Sequence, residues 1–205
     1  LEAMLYKPKL VKKILSLSVG ITSRTTDFWL TRKTRRYIKY HIGDIKGKNV
    51  MNFGTDVSKF TVELSKLIGD SGKLCVTHAS KDHIDATKEL AEKHKLNNMI
   101  YYVENEARHV IHPKLKDFDA IVSVGVLGYI QDPHKVIATL GKRVKKGGKI
   151  YFVDYTNLLK IMPEQKWLHD VEGIKRMFAQ AGFKFNVSRH KGLLWNTIHI
   201  YGKKV

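Results

Sequence analysis

The sequence is poor in the residues that cross-link a chain or anchor it in a membrane. Cys75 is the one cysteine among 205 residues, which excludes an intrachain disulfide and argues against a cysteine-ligated zinc site. A reducing compartment is therefore expected, in the cytoplasm or in an organellar matrix such as the mitochondrial one, and secretion is not. No apolar run approaches the roughly 18–20 residues of a membrane-spanning helix. The histidines follow no metal-ligand spacing, so no metal site is predicted.

Acidic residues are scarce as well. The chain has 19 Asp and Glu against 37 Lys and Arg, which gives a formal net charge of +18. An excess of this size favours an anionic partner, namely RNA, a phospholipid surface or an acidic protein. The alternative is a lysine-rich surface that is simply solvated.

The N-terminal segment, residues 1–25, is basic and partly apolar. Residues 1–3 precede Met4 and are interpreted as a cloning remnant, and no acidic residue occurs between Met4 and Thr26. The stretch YKPKLVKKILSLSVG predicts a basic amphipathic helix on an anionic membrane surface, which would make the protein membrane-peripheral. Two alternatives stay open: the tail of an organellar transit sequence, and a helix that packs on the domain.

Helical and strand patterns alternate through the rest of the chain, with short connections. Strands are predicted at 49–53, 73–78, 99–105, 119–125 and 149–155. Helices are predicted at 26–42, 58–68, 81–95, 133–144 and 171–183, with a turn at 145–148. Two last strands, 184–190 and 194–203, are expected to form an antiparallel edge pair. This pattern predicts an α/β domain with a doubly wound, mostly parallel sheet that binds ligands at the carboxyl ends of its strands.

The turn after the first strand carries little glycine for such a site. In NVMNFGTDVSKFT (49–61) the one glycine is Gly54, and it lets the backbone come close to a ligand. The turn is therefore either a cofactor site or a plain corner between strand and helix. Asp56 and Ser58 fit the second reading equally well, because both residue types cap helices.

Two segments and the closing strand pair carry a family resemblance. The segments are RVKKGG (143–148), which has Lys146 where proline is usual, and DFDAIVSVGVLGYIQDP (117–133). Together they resemble the class I S-adenosylmethionine-dependent methyltransferases over residues 26–205, here taken as the methyltransferase-like domain. The resemblance implies a seven-stranded, Rossmann-like methyltransferase fold with an antiparallel C-terminal hairpin.

A narrower resemblance rests on three further stretches. LSLSVGI (15–21), SVGVLG (123–128) and AGFKFNVSRHKGLLWNTIHIYGKK (181–204) are similar to motifs of the ubiquinone/menaquinone biosynthesis C-methyltransferases. That family implies a small hydrophobic acceptor, quinone-like or lipid-like.

The resemblance also implies a cofactor and a set of residues around it. The cofactor would be S-adenosylmethionine, with S-adenosylhomocysteine as the product. The implied cofactor-binding residues are Asn52, Gly54, Thr55, Asp56, His78, Ala79, Glu106, Ala107, Ser123 and Gly125.

The motifs depart from the family pattern at the positions that would bind the ribose and contact the acceptor. His78 stands where a carboxylate usually accepts two hydrogen bonds from the ribose, and a neutral imidazole accepts only one. Leu127 and Gly128 stand where the quinone enzymes have an Arg-Asn pair. Carbon methylation of a hydroxylated ring needs a base; Tyr129 and His134 are the candidates, and His78 and Asp154 are also expected nearby.

Two other functions stay open because of these departures. One is a non-catalytic or repurposed methyltransferase-fold subunit of a larger assembly, and the other is an RNA methyltransferase. The sequence leaves open whether the chain is an active enzyme and whether it forms an oligomer.

Overall fold

The computed structural model describes residues 30–54, 58–104, 111–156, 166–192 and 196–205. The helices are α1 (Arg32–Ile42), α2 (Lys59–Ile68), α3 (Lys81–Lys93), α4 (Pro133–Gly141) and α5 (Val171–Gln180). The strands are β1 (Asn49–Phe53), β2 (Lys73–His78), β3 (Met99–Val103), β4 (Phe118–Val124), β5 (Val144–Thr156), β6 (Phe183–His190) and β7 (Asn196–Lys204). Short 3-10 helices span Leu127–Tyr129 and Lys166–Leu168. The predicted N-terminal segment lies outside the described residues.

The strands form one seven-stranded sheet in the order β3-β2-β1-β4-β5-β7-β6. The first five strands of that order pair in parallel, whereas β7 pairs antiparallel with both β5 and β6. This arrangement confirms the predicted Rossmann-like methyltransferase fold and its antiparallel C-terminal hairpin. Within the described residues, no helix has the length and apolar character needed to cross a bilayer.

Apolar side chains on each face of the sheet pack under a separate layer of helices. One core joins the sheet to α1, α2 and α3 and includes Ile38, Phe60 and Ile84. The other joins the opposite face to α4 and α5 and includes Ile137 and Phe178. Burying each of these side chains stabilises the fold by about 1.5–3 kcal/mol. Strands β1, β2 and β4 are buried on both faces along most of their length, which explains their nearly continuous apolar sequences, whereas the edge strand β3 is partly exposed.

The predicted turn at 145–148 is the clearest difference between expectation and structure. These residues lie inside β5, where the pairing with β4 shifts register between Phe118 and Ala120. Val144 pairs with Phe118 and Lys149 pairs with Ala120, so the residues between them bulge out of the ladder. Strand β5 therefore begins several residues earlier than predicted, and α4 ends at Gly141 rather than at 144.

Helix α1 lies over β5 and β7, with a cluster of aromatic and histidine side chains between them. His199 is 3% exposed, and its ring shares hydrogen bonds with the hydroxyl groups of Tyr151 and Thr197. Tyr37 of α1 packs edge-on against it with the ring centroids 5.5 Å apart. Burial, with added repulsion from His190 and His41, lowers the pKa of His199 to about 4.

Acidification is expected to destabilise the protein through His199. Since its pKa is about 4 in the folded chain and near 6.5 in the unfolded chain, the unfolded state takes up the proton first. Stability present above the unfolded value is therefore lost as the pH falls, by about 2 kcal/mol at about pH 5. His199→Gln should flatten the dependence of the melting temperature on pH, whereas His94→Gln, at the exposed end of α3, should not. Identical pH profiles for the two variants would contradict this assignment.

Candidate functional site

The carboxyl ends of β1, β2, β4 and β5 meet at one edge of the sheet. Chain connections diverge between the neighbouring strands β1 and β4, which is the switch point where sheets of this kind bind ligands. Each of these two strands is followed at once by a glycine in the left-handed region, Gly54 with φ of 64° and Gly125 with φ of 68°. Two such turns lie side by side and flank the position of the ligand crevice in sheets of this topology.

Gly54 is buried at the end of β1, and its surroundings explain why no side chain is present. Its amide donates a hydrogen bond to Thr77 Oγ1 of β2 at 3.3 Å. A Cβ atom on Gly54 would lie 2.8 Å and 2.9 Å from the two γ-carbons of Val126. The glycine thus allows the segment after β4 to pack against the end of β1.

Asn52 and Ser123 hold the frame of the switch point together. The Asn52 side chain is fully buried, and its amide donates to Thr61 Oγ1 of α2 at 3.1 Å. The Ser123 hydroxyl donates to the carbonyl oxygen of Phe53 at 3.0 Å, just beyond the last paired residues of β1 and β4. Ser58 accepts a hydrogen bond from the amide of Thr61 and caps α2, which confirms one of its two predicted uses.

His78 ends β2 with a ring whose accepting nitrogen is already engaged. Its Nδ1 accepts a hydrogen bond from the amide of Ser80 at 2.9 Å, so the hydrogen of the neutral ring is on Nε2. The ring is 6% exposed and stacks on His83 with the centroids 4.2 Å apart. His78 can therefore donate to a ribose hydroxyl, but it does not offer the acceptor that a carboxylate would provide. Ala79, the next residue, is half-buried.

The two candidate bases both follow β4 at the carboxyl edge. Tyr129 ends the 3-10 helix after β4 and is 48% exposed, whereas His134 is an exposed residue in the first turn of α4. Buried Asp154, at the end of β5, fixes the segment that carries Tyr129. Its carboxylate accepts hydrogen bonds from the amides of Gly128 at 2.9 Å and of Tyr155 at 2.6 Å.

Four of the predicted cofactor-binding residues lie outside the described part of the chain, among them Glu106, the acid that the resemblance implies near the adenine. Those residues are Thr55, Asp56, Glu106 and Ala107. Glu104, two residues before the predicted acid, is buried just after β3, and its amide donates to the carbonyl oxygen of His78 at 2.9 Å. Burial, together with the charge of Glu104, raises the pKa of the Cys75 thiol to about 12, so this cysteine is an inert core residue.

Two residues that shape this edge, Val126 and Thr77, were not selected from the sequence, whereas Asp154 was expected near the acceptor. Val126 packs on Gly54, Thr77 binds its amide, and Asp154 anchors the turn that holds Tyr129. Asp154 had a usable signal, because an acidic residue inside a strongly apolar strand is buried and needs partners. Val126 and Thr77 gave no such signal in the sequence, since valine and threonine are common in a strand and at its end. In the described part of the chain, no group of three or more potential ligands is arranged to hold a metal ion.

This sheet order, with its switch point between β1 and β4, is that of the class I methyltransferase fold. The family model described as "Methyltransferase domain" matches residues 29–190. The chain therefore belongs to the methyltransferase domain family. The predicted superfamily is confirmed, and S-adenosylmethionine is the cofactor of that class, as expected.

Two relatives with assigned names fit this assignment. Both are named probable cobalt-precorrin-6B C(15)-methyltransferase (decarboxylating), and each is similar to one half of the chain. The protein from Sulfurisphaera tokodaii is 29% identical over 104 residues, which is 51% of this chain and 52% of that protein. The protein from Saccharolobus solfataricus is 30% identical over 105 residues, 51% of each chain. The chain thus spans about half the length of the curated relatives it matches.

A crystal structure shows the same fold over nearly the whole chain. It is an S-adenosylmethionine-dependent methyltransferase from Aquifex aeolicus, with a TM-score of 0.71 and 16% identity. The match covers 92% of this chain and 97% of that one. At this identity the likeness establishes the fold alone, and the quinone-type acceptor and the membrane contact stay predictions.

Two features of the described residues suit an adenosyl group, with one reversal of polarity. A ribose hydroxyl is both donor and acceptor, so it can accept from Nε2 of His78 where the usual carboxylate would accept from it. The backbone at Gly54 and Gly125 provides the two turns that flank the crevice. The chain is therefore expected to bind the cofactor with one charge-assisted contact fewer than its class usually has.

Proposed function

We propose that this chain is an S-adenosylmethionine-dependent methyltransferase that acts on a small, largely hydrophobic acceptor. The observation that carries the proposal is the pair of left-handed glycine turns, Gly54 and Gly125, on either side of the switch point. That edge is where a sheet of this topology takes its ligand. The cofactor supplies an electrophilic methyl group on a sulfonium centre.

The residues beyond β4 are suited to orient the reactants and to exclude water. Val126, Leu127 and Ile130 are each about 1% exposed, and they form an apolar wall in the core beneath this edge. Asp154 holds the wall in position through the amide of Gly128. Methyl transfer depends mainly on in-line positioning and desolvation, so a rigid apolar wall contributes directly to the rate.

The acceptor is proposed to lie over this wall, beside the exposed ring of Tyr129. On the described part of this segment, the imidazole of His134 can take a proton from an acceptor hydroxyl, and the hydroxyl of Tyr129 can accept a hydrogen bond from it. A quinone-like or lipid-like acceptor fits the apolar surroundings.

Cofactor binding is the direct test. Titration of the full chain with S-adenosylhomocysteine should release or absorb heat and raise the melting temperature, since a ligand at about 100 times its Kd adds about 2.7 kcal/mol of stability. Incubation with S-adenosylmethionine and candidate acceptors, followed by mass spectrometry, should then detect S-adenosylhomocysteine. The absence of both heat and a thermal shift at millimolar ligand would rule the proposal out.

One observation favours a second function, a non-catalytic subunit on the same fold. The accepting nitrogen of His78 is used by Ser80, so the ribose has lost its usual partner. In that case the chain should show no cofactor binding while its fold and stability are intact.

A further inference from the structure

A cavity of about 540 Å³ lies between α1 and α2, and its walls are mostly cationic. It is lined by Arg32, Arg35, Arg36 and Lys39 from α1 and by Lys59 and Glu63 from α2. Among the described residues, five cations surround a single carboxylate, which makes this a strongly positive recess. Its volume lies in the range of sites that bind small molecules.

The sequence of α1 places its cations on one face by helical spacing. Arg32, Arg35, Arg36 and Lys39 follow the i, i+3, i+4, i+7 pattern of a single stripe. The apolar face carries Ile38 and Ile42, which are buried against the sheet. The stripe is therefore held on the α2 side of the helix by the packing of the opposite face.

Glu63 organises two of the cations but does not neutralise the cavity. Its carboxylate contacts Arg35 at 2.7 Å and Lys39 at 2.8 Å. Partial burial alone would raise the pKa of Glu63, but the hydrogen bonds from Lys39 and Arg35 hold it below its usual value. Arg32 and Arg36 are exposed, and neither has an ion pair or side-chain hydrogen bond to any described residue.

This arrangement is unfavourable for the helices themselves. Cations are disfavoured near the positive N-terminal end of a helix, yet α1 and α2 both begin with a basic residue and have no acidic residue in the first turn. Like charges at i, i+4 spacing, such as Arg32 and Arg36, also repel each other. An anion in the cavity would offset both effects, which points to a ligand rather than to stability as the reason for the cluster.

The cavity lies on the cofactor side of the molecule. The end of α1 leads through Gly43 into the amino end of β1, so its beginning lies toward the carboxyl edge, as does the beginning of α2 after Gly54. Arg35 also acts electrostatically on Tyr155, near the end of β5. Burial and the charge of Asp154 raise the pKa of Tyr155, and the charge of Arg35 partly opposes that rise.

We propose that this cavity binds the phosphate group of a small, otherwise largely hydrophobic molecule, and that this molecule is the methyl acceptor. Guanidinium groups bind phosphate oxygens in pairs, and Arg32 and Arg36 are placed to do so while Glu63 holds Arg35 and Lys39 in position. The assignment as an acceptor site rests on the proposed function, whereas the anion site itself does not.

Inorganic pyrophosphate is the probe, titrated calorimetrically into the full chain without cofactor at low salt. The double variant Arg32→Gln/Arg36→Gln should lose at least about tenfold in affinity, because each guanidinium supplies charge-assisted hydrogen bonds. The matched control is Lys33→Gln/Lys66→Gln, which removes the same charge from exposed positions of the same two helices outside the cavity. Its affinity should stay within about twofold of the parent.

Three outcomes would overturn the proposal. Equal losses in the two double variants would show diffuse attraction rather than a site. Loss of binding on Lys145→Gln/Lys146→Gln instead would place the anion in the smaller cavity at the opposite edge of the sheet. A short oligoribonucleotide that displaces pyrophosphate and binds far more tightly, with a steep salt dependence, would identify a polynucleotide surface.

The failure of this inference can be told from the failure of the proposed function. The pyrophosphate titration needs no cofactor, and the S-adenosylhomocysteine titration needs no phosphate. A chain that binds S-adenosylhomocysteine but not pyrophosphate refutes only the anion site. A chain that binds pyrophosphate but not S-adenosylhomocysteine keeps the site and loses the assignment of its ligand as a methyl acceptor.

Discussion

Gly54→Val is expected to destabilise the protein by about 3 kcal/mol or more and to abolish cofactor binding. Two costs combine at this position. The φ of 64° is one that a β-branched residue rarely adopts, and the new Cβ would lie 2.8 Å from a γ-carbon of Val126. Relief of the contact requires Val126 to move, which displaces the segment that bounds the crevice after β4.

The two costs can be measured separately. Gly69, after α2, has nearly the same φ of 69°, and no atom lies within 4 Å of the place a Cβ would take there, so Gly69→Val reports the backbone strain alone. A cycle of Gly54→Ala, Val126→Ala and the double variant reports the steric part as a coupling energy, expected at about 1–2 kcal/mol. Chemical unfolding provides the free energies and calorimetry the affinity for S-adenosylhomocysteine. If Gly54→Val costs no more than Gly69→Val, Val126 does not hold this edge.

His78→Asp is expected to tighten the binding of S-adenosylhomocysteine by about ten- to a hundredfold, since one charge-assisted hydrogen bond is worth about 1.5–3 kcal/mol. An aspartate at this position can take over the hydrogen bond from the amide of Ser80 with one oxygen, as the imidazole now does with Nδ1. The second oxygen then accepts from the ribose. The gain therefore arises from a contact that the present residue does not offer.

The control for this variant is His78→Asn, which has the shape of aspartate without its charge. It should retain the bond to Ser80 and gain little affinity. His83→Gln separates the effect of the ring stack between His78 and His83. An unchanged or weaker affinity for His78→Asp would mean that the ribose does not lie at the end of β2, and the non-catalytic function would then be favoured.

Residue patterns along the chain were enough to predict most of the fold. The bounds of β1 and β2 agree with the prediction at every residue, because short apolar runs between turn residues leave little choice. The start of β5 was wrong, because Gly147 and Gly148 indicate a turn in the sequence. Whether that turn ends a strand or bulges within it depends on the pairing partner, and only the register against β4 contains that information.

The candidate site was predicted less completely. A strand end can be located from the sequence, so Gly54, His78 and Gly125 do lie at one edge of the sheet. Which hydrogen bonds a polar side chain makes in the folded chain cannot be predicted from the sequence. His78 was expected to accept a hydrogen bond from a ligand, and its acceptor proved to be engaged by a backbone amide two residues away. The helical spacing of the cations of α1 can be recognised in the sequence, but their ion-pair partner Glu63 on α2 cannot.

The sequence by itself determined the class of this protein, since alternating helices and strands and the order of its motifs are properties of local patterns that survive without coordinates. The tertiary structure decided which residues meet: Val126 with Gly54, Asp154 with Gly128, and the cations of α1 with Glu63. Each of these contacts joins residues that are about 25 or more positions apart in the chain. Periodicity is a local property, whereas such contacts arise from the packing of whole elements, and for that reason the cationic cavity could be located only in the folded chain.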